Sequence, residues 1–357
     1  MTGTYVYVSN ADDGDIGVYA LQGDGSLRAM ARAAAVKPVM PLAVSPDRRH
    51  LYAAIRAKPF SVSTYAIDAG CGALEKLSSV LIADSFPYIS TDRTGRYLFG
   101  ASYGGNLVGV HPIERDGRLG EALQVIPVGR NAHCILIDHT NRYVFVPTLG
   151  TDQVFQFVFD ASTGRLAANT PPVLQLKAGT GPRHMAFSND NRFLYLLSEL
   201  VGTVTTLALD AASGLLTEQG IESILPPDTP LRTGMPRGSV GSSAAGPERD
   251  TRNDIWASDL HLSPDNRFLY AAERTSSTLT VLGVDGASGR VTRLGSVPTE
   301  KQPRGFAIDP TGRYLVASGE KSDTISVYAI GSDGVPALLD RYPSGKGSNW
   351  VQIVATE

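Results

Sequence analysis

Short apolar runs rich in aromatic and branched residues alternate along this chain with polar turns built from Asp, Asn, Gly and Arg. The unit reads SPDRRHLYAA at 45–54, STDRTGRYLFGAS at 90–102, IDHTNRYVFVPT at 137–148, FSNDNRFLYLLSE at 187–199, LSPDNRFLYAAER at 262–274 and IDPTGRYLVASGE at 308–320. Its Arg returns after 46 residues from Arg96 to Arg142, and again from Arg267 to Arg313. A period of this size signals repeated sheet units. A second unit, an alternating strand followed by an Asp/Gly turn, interleaves with the first in seven copies, from GVYALQGDGSL to SVYAIGSDGV.

Each period therefore predicts four short strands joined by turns, which is one blade of a propeller. The expected fold is all-β: a seven-bladed β-propeller with four-stranded antiparallel blades. The first copy begins directly at TYVYVSN, without an opening strand, and the C-terminus supplies an unmatched one, NWVQIVA. Pairing these N- and C-terminal strands in one blade would close the ring and leave no open sheet edge. Because the repeat runs through almost all of the chain, residues 1–357 are expected to form a single domain. One segment breaks the period. Arg192 and Arg267 are 75 residues apart, and the excess, at 226–254, is rich in Gly, Pro and Ser and reads as a long loop insertion between blades.

Composition adds little beyond exclusions. A formal net charge of -3 over 357 residues gives no support for a nucleic-acid or membrane partner. No apolar run approaches the ~18 residues of a spanning helix. Two cysteines, Cys71 and Cys134, are too few for a disulfide framework, so a cytoplasmic location is the default. Oligomeric state leaves no mark on the sequence.

The repeat also serves as a ruler. In an antiparallel blade the start of the first strand and the end of the second lie at the same end of the propeller, on the channel mouth. Nine residues before each repeat Arg stand Met40, Pro87, His133, Arg183, Ser258 and Arg304, with Asn349 in the last strand. Seven residues after it stand Arg56, Tyr103, Leu149, Glu199, Arg274 and Glu320. One rim is thereby predicted to gather His133, Arg183, His184, Glu199, Asp259, Arg274, Arg304 and Glu320, with Arg56 and Lys321 beside them. A purely structural repeat would make equivalent positions alike, and these differ. The plainer alternative is a set of ion pairs tying blades together. The repeat arginines themselves (Arg49, Arg96, Arg142, Arg192, Arg267, Arg313) read as architecture, His50 and His139 as turn residues, and His261 as either a satisfied buried histidine or a functional one.

Several arginines converging on one mouth suit a small anionic ligand, a carboxylate or a phosphate ester. A histidine among them can activate water or move a proton, and a carboxylate such as Glu199 can orient a cation. HExxH, Cys-x-x-Cys, Walker, GxGxxG and Gly-x-Ser-x-Gly sequences are absent, so no metal or other cofactor is expected.

At these residues the chain resembles a known family. GTGPRHMAFSNDNRFLYLLSEL, WASDLHLSPDNRFLYAAERTSSTLTV and QPRGFAIDPTGRYLVASGEKSDTISVYAI are similar to segments of the bacterial seven-bladed propeller 6-phosphogluconolactonases, a family that also contains the fungal 3-carboxy-cis,cis-muconate lactonizing enzymes. The resemblance covers the chain from TYVYVSN to NWVQIVA apart from the insertion. It implies lactone chemistry, with the proposed active-site His, Arg, Glu and Arg falling on His133, Arg183, Glu199 and Arg274, four positions that the ruler also puts at the mouth.

The reaction expected from this is hydrolysis of 6-phospho-D-glucono-1,5-lactone to 6-phosphogluconate in the pentose phosphate pathway. His133 would be the general base, Arg183 and Arg274 would hold the developing oxyanion, and Glu199 would position an arginine or the water. Arg56, Arg304 and Lys321 are candidates for the phosphate, and His184, Asp259 and Glu320 for further substrate contacts. Two alternatives stay open: a cycloisomerase or hydrolase of a carboxylated muconate or its lactone, and a non-catalytic propeller binding a protein partner at its rim. The insertion, with Arg232, Arg237, Arg249 and Arg252, is expected over the same mouth.

Overall fold

The computed structural model describes residues 3–238 and 249–356, so residues 239–248 of the predicted insertion lie outside the described residues. Among the described residues there are seven four-stranded antiparallel sheets and no helix. The sheets are the expected blades. Their innermost strands, which wall the central channel, are Ser348–Ala355, Val39–Val44, Tyr88–Thr91, Leu136–Ile137, Pro182–Phe187, Ala257–Leu262 and Pro303–Ile308, and the blades are numbered 1 to 7 in that order. Blade 1 is completed from both ends of the chain: Thr4–Asn10 pairs with Ser348–Ala355, from Thr4 opposite Ala355 to Asn10 opposite Ser348.

The two repeating units are explained by one contact. Each glycine of the second unit's turn has a positive φ, between 69° and 88°, and lies under a ring at the start of the second strand of the preceding blade. The pairs are Gly25 under Tyr314, Gly72 near Tyr5, Gly117 under His50, Gly164 under Tyr97, Gly214 under Tyr143, Gly289 under Phe193 and Gly334 under Phe268. A Cβ at any of them would overlap the ring, and only glycine adopts this backbone without strain. The polar turn of the first unit adds a second tie. Asn141, Asn191 and Asn266 occupy the left-handed region, and their Oδ1 atoms accept the backbone N–H of Arg93, His139 and Asn189 in the preceding blade. The repeat arginines lie over the next ring, Arg142 at 5.0 Å from Tyr143 and Arg313 at 5.0 Å from Tyr314.

All of these ties lie at the end of the ring where the first strand turns into the second, opposite the mouth. No helix among the described residues is long and apolar enough to cross a membrane.

Gly214→Ala combines a strained backbone with ring overlap and is expected to cost about 2–5 kcal/mol, read from the urea midpoint. Gly220→Ala, with nothing within 4 Å of the new Cβ, is expected to stay within about 0.5 kcal/mol. Equal effects from the two changes would show that the glycine–ring contact does not hold neighbouring blades together.

Candidate active site

At the mouth the ladder between the first and second strands is irregular in blade after blade. Arg183 is an extra residue between the pairs Pro182–Ser198 and His184–Leu197, and Arg304 between Pro303–Gly319 and Gly305–Ser318. Register also shifts at Met40 and Pro41, at Ser258 and Asp259, and at Asn349. In blade 4 the regular ladder is only Leu136–Ile137, with a single bridge from Ala132 to Thr148 beyond it. Pro147 lies on the second strand there; its carbonyl accepts the His133 N–H at 3.2 Å, but it has no N–H to return, so the pair beside His133 is only half made. Bulges re-aim side chains, and here they turn a run of strand residues into a ring of functional groups.

Two arginines grip one carboxylate. Arg183 Nε lies 2.7 Å from Glu199 Oε2, and an Arg274 terminal nitrogen donates to the same oxygen at 3.0 Å. All three side chains are buried. Arg274 also donates to the carbonyls of Trp256 and Ala257, and its guanidinium lies 3.7 Å from the Trp256 ring centre. Arg183 keeps one buried terminal nitrogen, Nη1, without a protein partner. Burial lowers both guanidinium pKa values, opposed by Glu199: Arg183 to about 10 and Arg274 to about 9. Both stay charged at neutral pH.

A second pair lines the mouth in blade 7. Arg304 reaches Glu320 Oε1 at 3.2 Å, and Gln302 donates to Oε2 at 2.8 Å. Burial pushes Glu320 upward, but Arg304 and Arg274 hold it below the usual carboxylate range. Arg56 is buried, donating to Ser85 Oγ at 2.9 Å and lying 3.0 Å from Met40 Sδ. Burial and then Arg304 bring its pKa down to about 9. Lys321 remains exposed, outside this buried group.

The histidines occupy two levels. His133 is buried near Tyr103, with ring centres 5.7 Å apart, and 5.2 Å from His184. Burial, then Arg183, His184, Arg304 and Arg274, push its pKa well below 6.5, so the ring is neutral at pH 7. His184 packs against Tyr88 and Trp350 and donates through Nδ1 to Asp259 Oδ1 at 2.8 Å. Burial and Arg183 lower it to about 3. Asp259 is not presented to a substrate. Its oxygens already accept His184, His261 and the backbone N–H of Leu260 and Phe306, so the expected direct contact from Asp259 is replaced by an internal one. His261 is half-buried and satisfied by that same carboxylate.

Among the described residues, the insertion meets the mouth at Gly234, whose N–H donates to the Leu200 carbonyl at 2.8 Å, and at Arg237. The Arg237 carbonyl accepts the Tyr103 hydroxyl at 2.9 Å, and its guanidinium lies 4.3 Å from the Trp256 ring. Arg232 and Arg249 instead converge on buried Asp254, and Arg252 pairs with Asp250, so three of the four expected cations are spent within the loop. Sequence reasoning missed the roles of Trp256 and Pro147. For Pro147 the signal was present, since no other copy of the strand carries proline there; for Trp256 there was none, because its partners come from 237 and 274.

This arrangement, a neutral histidine beside unsatisfied, buried arginine nitrogens, can activate water and stabilise an oxyanion. A family model described as "Lactonase, 7-bladed beta-propeller" matches residues 2–353. The chain is 37% identical over 351 residues to a 6-phosphogluconolactonase of Serratia proteamaculans, covering 98% of each, and 38% identical over 353 residues to one of Pectobacterium carotovorum, covering 99% of each. The structure of a Pseudomonas aeruginosa periplasmic gluconolactonase superposes with TM-score 0.85 at 28% identity, over 99% of this chain and 100% of that one. A Bacteroides fragilis structure with TM-score 0.85 and 23% identity, covering 99% of this chain and 98% of that one, shares the fold.

Glu199→Gln would leave two buried guanidinium groups without their counter-charge and is expected to destabilise by about 3 kcal/mol or more. Glu320→Gln, whose side chain is 18% exposed, should cost clearly less. Denaturant titration of both variants compares them, and an equal loss would remove the Glu199 clamp as the main electrostatic tie of the mouth.

Proposed function

The chain belongs to the family of seven-bladed β-propeller lactonases and is a lactonase, and from that premise we propose that it hydrolyses 6-phospho-D-glucono-1,5-lactone to 6-phosphogluconate. The observation that carries this reading is the Arg183–Glu199–Arg274 clamp beside neutral His133, in a chain similar over nearly its full length to 6-phosphogluconolactonases.

Water attacks the lactone carbonyl carbon while His133 takes its proton. The carbonyl oxygen gains negative charge, met by the unpartnered Arg183 Nη1 and by Arg274. The bond from that carbon to the ring oxygen then breaks, and the proton held by His133 passes to the departing oxygen. The product acid loses its own proton to solvent. Glu199 holds both guanidinium groups in place without entering the reaction. Arg56 and Arg304 are the groups for the phosphate. Arg56 is buried and Arg304 partly buried in a mouth with further positive charge, which makes an arriving dianion a favourable counter-ion. A cytoplasmic location accompanies this substrate, whose charge keeps it from crossing a membrane unaided. The insertion shapes substrate preference through Arg237 and Trp256. A second reading, hydrolysis of unphosphorylated gluconolactone, is favoured by the similarity to the periplasmic gluconolactonase.

Purified protein offered 6-phosphogluconolactone, gluconolactone and 3-carboxymuconate in parallel, corrected for spontaneous hydrolysis, is expected to turn over the first most efficiently. Turnover of the third alone would sink the proposal. His133→Ala and Arg274→Ala should each lower kcat/KM by ~10²-fold or more, while His139→Ala, exposed at the far end, should be nearly silent. Arg237→Ala should change the ratio of KM values between the substrates.

A base acts while unprotonated, so activity is present above its pKa and lost below it. Because the His133 pKa is depressed, the acid limb of kcat/KM should fall below pH 6.5. Removing a positive neighbour raises that pKa, so Arg304→Met should move the limb upward. A limb at or above pH 6.5 in the wild type, or no movement in the variant, would argue against His133 as the base.

A further inference from the structure

Beneath the mouth lies a connected set of groups that the hydrolytic step does not itself use. His184 donates its Nδ1 hydrogen to Asp259 Oδ1 at 2.8 Å. A neutral imidazole carries one N–H, so Nε2 of the same ring is bare and can only accept. That Nε2 is buried and has no partner among the described residues. The adjacent ring, His133, has the complementary vacancy in its bonding: its Nδ1 is buried and also unpartnered. The two ring centres are 5.2 Å apart with their planes crossing at 60°; the two nitrogens do not bond each other as the rings stand, and a turn of the His133 ring that aims its Nδ1 at His184 Nε2 would bring them to about 3 Å, an ordinary hydrogen-bond separation. Tyr88 and Trp350 pack edge-on or tilted around His184 at 5.1 and 6.0 Å and limit its rotation. Asp259 is fixed in turn by the backbone N–H groups of Leu260 and Phe306 and by His261 on its other oxygen.

We propose that Asp259 and His184 are positioning residues that set the tautomer of His133, in a chain running Asp259, His184 Nδ1–H, His184 Nε2, His133 Nδ1–H. The proposal rests on the reading of His133 as the base. A proton on His133 Nδ1 leaves its Nε2, the ring nitrogen not sealed from the channel, with the free lone pair that water must meet. When Nε2 gains the proton of water, the imidazolium that forms is stabilised through His184 by the Asp259 carboxylate, which stays ionised throughout. The logic is that of a carboxylate holding a catalytic histidine, extended by one ring. Buried polar groups are nearly always satisfied, and pairing these two nitrogens satisfies both at once.

The test is the tautomer itself, read by nitrogen NMR of protein with ¹⁵N-labelled histidine, together with steady-state kinetics. The wild type is expected to show His133 protonated on Nδ1 and bare on Nε2. Asp259→Asn can present an amide N–H to His184 Nδ1, which reverses the chain and moves the His133 proton to Nε2. Turnover should then fall by ~10²- to 10⁴-fold in kcat, with KM within about threefold. His184→Phe keeps the ring packing and removes the acceptor, so it should give a similar loss if Asp259→Asn proves unstable. The double variant should lose little beyond either single one. A wild-type His133 protonated on Nε2, or variants with unchanged tautomer and kcat, would overturn the chain. If instead His133→Ala retains turnover while the tautomers are as expected, the chain stands and the assignment of the base is what fails.

Discussion

The contact on which the whole ring depends is a glycine under an aromatic or imidazole ring, made once at each of the seven boundaries between blades. It requires a positive φ and the absence of a Cβ on one blade and a flat side chain at a set strand position on the preceding one. Neither residue can change alone. This double requirement explains why the chain carries two interleaved units rather than one, and why both recur with nearly the same period.

Because the locking contacts are gathered at one end of the ring, the other end is released from repetition. Equivalent rim positions hold Met40, His133, Arg183, Ser258, Arg304 and Asn349, a mixture of thioether, imidazole, guanidinium, hydroxyl and amide groups. The bulges at the same level let these side chains leave the regular strand alternation. Architecture and chemistry therefore occupy opposite ends of the same strands, and neither constrains the other's choice of residues.

The chemistry is electrostatic before it is acid–base. Several guanidinium groups are held out of water around few carboxylates, and each pays for its desolvation with a lowered pKa yet remains charged. Burial, reinforced by the same positive field, keeps His133 and His184 neutral. An anion entering this mouth would relieve the repulsion among the arginines and at the same time raise the basicity of the histidines, coupling binding to the activation of the proposed base through one field.

The sequence by itself determined the blade, the count of blades, the closing strand pair and the level along each strand at which the mouth lies, because β-structure with a fixed period converts sequence number into height. Family resemblance then pointed to His133, Arg183, Glu199 and Arg274 among the residues at that height. The tertiary structure decided which side chains meet between neighbouring blades at the mouth. Arg274 meets Glu199, and His184 meets Asp259, across 75 residues of chain in both cases. It withdrew Asp259 from the mouth into an internal pair, left Lys321 exposed, spent Arg232 and Arg249 on Asp254, and set Trp256 between Arg237 and Arg274. A repeat fixes a residue's height within its own blade, but pairing between blades depends on side-chain direction and on bulges, and neither has a periodic signature in the chain.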